Sequence, residues 1–277
     1  MQIRDAVSAK NAKNFDTGEL RENFLIENLF VKNKLNLTYS FYDRVVVGGA
    51  SPADKIIALE VDEKIMGTKN FLDRREMGII NVGGPGTVVT DSGEYELGLK
   101  DCLYLGLGTT GVKFKSSVES DPAKFYIIST PAHTSYPAVR QSINEAVPTD
   151  LGSDENSNKR TIYKYIHPEG IKSCQLVMGL TIMATNNVWN TMPPHTHQRR
   201  MEVYFYFNVS SDDLVFHYMG EPGETRHVVM RNEEAILSPS WSVHSGVGTK
   251  NYTFIWAMAG ENQIFSDMDG IKISDIK

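Results

Sequence analysis

Pro194-His195-Thr196-His197-Gln198-Arg199-Arg200-Met201-Glu202 is the stretch on which the reading of this chain turns. In extended backbone, residues i and i+2 project to one face. His195 and His197 can therefore reach a single metal ion from the same side. Glu202 has the wrong parity for an unbroken strand and needs a bend or bulge across Gln198–Arg200 to join them. A fourth ligand is available at His244, in Ser238-Pro239-Ser240-Trp241-Ser242-Val243-His244-Ser245, where Pro239 suggests a turn or sheet edge ahead of a strand that ends in the histidine. Three neutral imidazoles and a carboxylate suit zinc, and also Fe(II), Mn(II), Ni(II) or Co(II). An HxH pair alone is a weak signal; HxHx4E followed by a Pro-headed strand with a histidine is a stronger one.

Outward from this motif the chain reads as all-β. Segments rich in Val, Ile, Tyr and Phe occur at 42–47, 55–61, 78–82, 87–90, 102–107 and 125–129, and again at 161–166, 174–184, 202–209, 214–219, 227–230, 235–237 and 252–257. Gly, Pro, Asn and Asp punctuate them at the intervals of antiparallel sandwiches and barrels. Ahead of them, Leu20, Phe24, Leu25, Leu29 and Phe30 have near-helical spacing, which predicts an amphipathic helix within 15–33, capped by Asp16 or Thr17. Residues 139–160 are polar and read as a linker. The predicted organisation is a module over 1–145, with the helix leading it, and a metal-binding module over 146–277. A faint repeat supports two modules: Arg74-Arg75-Glu76-Met77 and Lys100–Leu105 then Gly106-Leu107-Gly108-Thr109, against Arg199-Arg200-Met201-Glu202 and Glu233–Leu237 then Gly246-Val247-Gly248-Thr249. Only the second copy has histidines in the corresponding places.

Composition narrows the function. The chain has 277 residues, 41% hydrophobic and 22% charged, enough for a substantial core. A net charge of −6 with no Lys/Arg-dense window argues against a nucleic-acid partner. The N-terminus lacks the apolar run of a signal peptide, and Cys174–Ala184 is too short to span a bilayer, so no membrane partner is expected and a cytoplasmic location is. Cys102 and Cys174 read as free thiols. Gly83-Gly84-Pro85-Gly86 lacks the Lys-Ser/Thr and helix of a phosphate loop and reads as a turn, as does Asp91-Ser92-Gly93.

The HxHx4E and PxxxxH elements in an all-β chain with a second, degenerate module resemble a bicupin. The glycines usual around the first motif are absent, with Trp189 and Val209 near those positions, and Trp241 stands where the second usually has Gly. The wider text resembles the 5-keto-4-deoxyuronate isomerase family over nearly the whole chain. The stretches that carry this are Arg74–Asn81, Pro122–Tyr126, Pro131–Thr134, Cys174–Leu180, Trp189–Phe207, Glu224–His227 and the region from Ser238 to Asp269. The resemblance implies tandem cupin barrels, a homohexamer, and one zinc ion per chain held by His195, His197, Glu202 and His244. The implied reaction is the aldose–ketose type isomerisation of 5-dehydro-4-deoxy-D-glucuronate to 3-deoxy-D-glycero-2,5-hexodiulosonate in pectin or polyuronide breakdown.

Such a substrate needs a cation for its carboxylate. Arg160, Lys164, Arg199, Arg200 and Arg226 are the nearby choices, Arg being best for bidentate pairing. The expected substrate contacts are Arg160, Lys164, Gln175, Arg199 and Tyr206. The proton-transfer group stays unassigned among a metal-bound water, Lys164, Gln175, Tyr204 and Tyr206, and Glu202 is a poor base if it ligates the metal. His217 and His227 read as sheet histidines, His133 and His167 as loop residues. The first module is assigned to packing or oligomer contacts. Two other readings of the scaffold are a metal-dependent dioxygenase and a non-catalytic sugar-acid-binding cupin.

Overall fold

Strands with one apolar face bury it by stacking sheet against sheet. The computed structural model describes residues 1–277, which form two compact units. The first comprises Met1–Ile3, Asn28–Val147 and Tyr165–Val177; the second comprises Arg4–Glu27, Pro148–Lys164 and Met178–Lys277.

In the first unit a seven-stranded sheet runs in the order Gln2–Arg4, Leu35–Ser40, Val46–Ala50, Phe125–Pro131, Arg75–Asn81, Cys102–Leu105, Val139–Gln141. A four-stranded sheet runs Ile57–Ala58, Lys113–Ser116, Gly86–Thr90, Gly93–Leu97. The core lies between them, with Met77, Ile79, Leu103 and Phe125 of the larger sheet against Val88, Leu97 and Phe114 of the smaller.

The second unit repeats this plan. Its larger sheet runs Pro148–Leu151, Arg160–Ile166, Val177–Met183, Thr253–Gly260, Arg200–Phe207, Glu234–Ser238, Leu25–Ile26. The smaller runs Trp189–Asn190, Ser245–Gly248, Val215–Glu221, Glu224–Met230. The strand Arg200–Phe207 is buried along its whole length, paired on one side with Thr253–Gly260 and on the other with Glu234–Ser238. This is the cupin arrangement expected from the sequence, but in neither unit do the sheets close into one hydrogen-bonded barrel.

Matching positions in the two sheet orders gives the faint repeat a structural basis. Arg75–Asn81 corresponds to Arg200–Phe207, and Cys102–Leu105 to Glu234–Ser238. The glycine-rich pair does not correspond: Gly106–Thr109 lies in a turn region, whereas Gly246–Gly248 lies within a strand.

Four expectations need correction. The helix is shorter than its apolar spacing suggested, running Thr17–Phe24. Asp16 and Glu19 form a capping box through reciprocal 2.8 Å bonds, worth about 1 kcal/mol. The helix ends because Leu25 turns extended and pairs with Ile236, a long-range pairing that outweighs local helical preference. That pairing also places the helix with the second unit rather than at the head of the first. The 139–160 stretch is no bare linker, since it supplies the edge strands Val139–Gln141 and Pro148–Leu151. Nor is the division a single cut near 145, because Tyr165–Val177 packs with the first unit.

Candidate metal centre

The bend demanded by the parity of Glu202 is present. His195–Thr196 is a short strand paired with Asp269–Gly270, the chain turns at Gln198–Arg199, and the Arg200 N–H closes that turn on the His197 carbonyl at 3.1 Å. The next strand starts at Arg200, and its third residue, Glu202, stands on the same side as the histidines. His244 arrives from a second turn, Pro239–Ser242, closed by the Ser242 N–H on the Pro239 carbonyl at 2.9 Å. It precedes the strand Ser245–Gly248 instead of ending one.

These turns bring the donor atoms of His195, His197, Glu202 and His244 within 4.8 Å of one another. His244 Nε2 lies 2.9 Å from His195 Nε2 and 3.0 Å from Glu202 Oε2, and His197 Nε2 lies 3.1 Å from that same oxygen. His197, Glu202 and His244 are buried and His195 is half-buried. The donor chemistry fits a metal. His197 Nδ1 faces the Arg200 carbonyl at 3.0 Å, which can only accept, so Nδ1 carries a proton. Burial opposes a charge on His197, but Nε2 donates to the Glu202 carboxylate and this raises its pKa; loss of that second proton frees the Nε2 lone pair for a metal. A cation between the donors would take the place of that proton. Ligand atoms each about 2.0–2.1 Å from one zinc ion stand about 3.3 Å apart, near the three short separations of 2.9, 3.0 and 3.1 Å. Burial, with His244 adding to it, pulls His195 down to about 3, so its ring is neutral and its lone pair free for a metal. Burial opposes the charge of Glu202, but His244 and His197 together hold its carboxyl well below the usual range.

A cavity of about 270 Å³ opens on this cluster, with His195 and Glu202 in its wall. Its other polar lining is Arg160, Thr181, Thr191 and Tyr204, and Arg160 is its one cationic side chain. The Arg160 guanidinium donates to the Asn158 carbonyl at 2.8 Å through one of its nitrogens. Burial lowers its pKa from the ordinary arginine value, the phenols of Tyr204 and Tyr252 opposing. Tyr204 Oη pairs with Thr191 Oγ1 at 3.0 Å. The apolar wall includes Phe254, Trp256, Met258, Phe265 and Met268. Trp256 donates to Thr181 Oγ1 at 3.2 Å and lies over Gly179, where a Cβ would come within 2.4 Å of the indole.

Of the predicted substrate contacts, Arg160 lines the cavity. Lys164 stands at its margin, its ammonium 5.2 Å from the ring centre of Phe265. The other three are engaged elsewhere. Arg199 makes a two-pronged ion pair with Asp267 and a further bond to Asp269. Gln175 belongs to the first unit, where its amide binds the Pro131 carbonyl. Tyr206 is fully buried, with its hydroxyl 2.8 Å from His217 Nδ1. Arg200 is wholly buried and donates to the carbonyls of Ile264 and Asp267, while Arg226 pairs with Glu224. Thr191, Trp256, Phe265 and Met268 escaped the sequence reading. Strand parity does reach Trp256, which pairs across from Tyr204, whereas Phe265 and Met268 lie in a segment with no pattern to read.

Two facing β-sheets per unit, repeated once, with three histidines and a glutamate meeting at the mouth of one pair, define a bicupin with a candidate metal centre. Comparison with known proteins narrows the class. The KduI/IolB family model matches residues 24–273, and the chain belongs to that family. It is 55% identical, over the full length of both chains, to 4-deoxy-L-threo-5-hexosulose-uronate ketol-isomerase of Caldicellulosiruptor bescii, and 54% identical over the full length of both to the protein of the same name in Halalkalibacterium halodurans. Among solved structures, an IolB-like protein of Salmonella typhimurium superposes with a TM-score of 0.68 at 14% identity, covering 87% of this chain and 94% of that one. Oxalate decarboxylase of Lactobacillus farciminis gives 0.55 at 8% identity, covering 83% and 79%. Both share the fold.

Proposed function

We propose that this chain is a metal-dependent ketol-isomerase acting on 4-deoxy-L-threo-5-hexosulose-uronate, loaded with zinc through His195, His197, Glu202 and His244. The observation that carries the reading is the convergence of four donors beside a cavity whose one cation is Arg160. Full-length relatives bearing that name support it. When bound, zinc supplies Lewis-acid polarisation of a carbonyl and acidifies the neighbouring hydroxyl without redox chemistry. The chain's own groups do the rest of the holding. Arg160 pairs with the substrate carboxylate, Tyr204 and Thr191 present hydroxyls along the cavity, and the wall of Phe254 and Trp256 keeps water from the reacting carbons. We place the enzyme in the cytoplasm, in polyuronide breakdown, with which the free thiols of Cys102 and Cys174 agree. We also assign it a hexameric assembly, for which the exposed Val139, on an edge strand, offers apolar surface to a second copy.

Proton NMR of freshly generated substrate tests the reading. Conversion to the diulosonate proceeds with the metallated protein, stops on chelation and resumes when zinc is returned. No conversion by fully metallated protein would overturn the function and leave the fold standing. Arg160→Gln is expected to raise KM by about 10- to 100-fold, the worth of a charge-assisted pair, with metal content unaltered. An unchanged KM would move the carboxylate to another group.

A further inference from the structure

We infer that Glu261–Ile271 is a strap forming one wall of the substrate cavity, and that Arg199 is the positioning residue that holds it there. The inference rests on the isomerase reading above. The strap is tied at both ends to the segment that carries the metal ligands. The Glu261 N–H donates to the Arg199 carbonyl at 2.9 Å, and the Ile271 N–H donates to the Pro194 carbonyl at 3.0 Å. Asp269–Gly270 pairs with His195–Thr196.

Between these ends the fastening is polar. Arg199 Nε and Nη2 grip the Asp267 carboxylate at 2.8 and 2.6 Å, and Nη2 reaches Asp269 at 3.1 Å. Asn262 donates to Asp267 at 2.7 Å, and Arg200 donates to the carbonyls of Ile264 and Asp267 at 2.8 and 2.9 Å. The result is that Phe265 sits 5.3 Å from Trp256, centre to centre, and that Phe265 and Met268 both line the cavity.

Apolar burial accounts for only part of this placement: Phe265 is half-buried against Trp256, but Ile264 is 60% exposed and Met268 43% exposed. An isolated exposed ion pair is worth little. A planar fork on one carboxylate, reinforced by a second carboxylate and by backbone bonds from the adjacent arginine, is a different case, because it fixes geometry as well as charge. Arg199 touches neither the cavity nor a donor atom of the metal cluster. Its effect on turnover therefore runs through where Phe265 and Met268 stand, which is a matter of substrate binding.

The test uses the metallated full chain with Arg199→Gln, Arg199→Lys and Phe265→Ala. Steady-state kinetics, metal equivalents and amide exchange of the 261–271 segment are measured together. With Arg199→Gln, KM rises about tenfold while kcat stays within about twofold, metal is retained, and exchange at Glu261 and Ile271 quickens. Arg199→Lys, which keeps the charge without the fork, falls between. Phe265→Ala reproduces the rise in KM with the ion pairs intact, so the idea stays testable if an Arg199 variant fails to fold. Faster exchange with unaltered KM would overturn the strap's role in binding. Unaltered exchange would overturn the role of Arg199, and so would metal content falling together with kcat. A wild-type chain that fails to turn over substrate would instead refute the isomerase reading, leaving the exchange data to decide whether Arg199 holds the strap.

Discussion

Replacing His244 by Ala abolishes metal retention and isomerase turnover together, with activity falling by at least about a thousandfold. The size of the effect follows from the cluster's economy. His244 Nε2 stands 2.9 Å from His195 and 3.0 Å from Glu202, so its removal takes one donor in four and leaves a buried carboxylate facing two rings instead of three. The ring is 1% exposed, so no side chain from solvent can take its place. The two outcomes that would break the link are readily distinguished by elemental analysis alongside kinetics. Full activity without metal would remove the ion from the reaction. Full metal content with lost activity would make His244 a substrate contact rather than a ligand. Circular dichroism and the thermal midpoint serve as the control, because the turn at Pro239–Ser242 is closed by backbone atoms that the substitution leaves in place.

What could be read from the residues was whatever depends on short range. His195 and His197 share a face by strand parity alone, and the parity conflict at Glu202 required the bend that Gln198–Arg199 supplies. His244 stands out by its residue type, but no local pattern shows that it follows a turn and does not end a strand. The apolar segments gave a two-sheet fold because alternation and turn residues are local signals. The rest depends on partners far along the chain. Residue type alone points Arg199 at the substrate, and nothing near it in sequence shows that Asp267 and Asp269 neutralise it. Residue type likewise points Gln175 and Tyr206 at the substrate, and only packing commits them to Pro131 and His217. Chain order places the leading helix with the first unit, but a two-residue pairing, Leu25 with Ile236 and Ile26 with Ala235, docks it on the second. Local periodicity cannot report a pairing of that kind.

Glu76→Ala is expected to destabilise the chain by about 4 kcal/mol while leaving metal content unchanged, and the reason lies in a one-residue difference between the two units. Aligning Arg75 with Arg200 sets Met77 against Glu202 and Glu76 against Met201. Successive residues of a strand point to opposite faces. In the second unit the carboxylate thus points between the sheets toward the histidines. In the first unit Met77 takes that place and packs in the hydrophobic core, and the carboxylate is sent to the other face. There Glu76, fully buried, accepts from the N–H groups of Cys174, Gln175 and Leu176 at 2.7, 2.9 and 2.9 Å, from Tyr104 Oη at 2.8 Å and from Thr130 Oγ1 at 3.1 Å. Burial, and then the charge of Glu76, push the Tyr104 phenol well above its ordinary range, so it remains a donor to that carboxylate. Alanine would leave five donors without their acceptor, those of Tyr104, Thr130 and Leu176 buried and those of Cys174 and Gln175 half-buried, each buried one costing roughly 1–3 kcal/mol before water and local relaxation recover part of it. Glu76→Gln, which keeps one acceptor oxygen but turns an amide N–H₂ toward donors, should cost about half as much. The urea midpoint reads the stability, and metal analysis of the folded protein reads the site. Loss of stoichiometric metal from folded Glu76→Ala protein would show that this carboxylate supports the metal centre, and an unmoved midpoint would show that the Cys174–Leu176 backbone finds its partners without it.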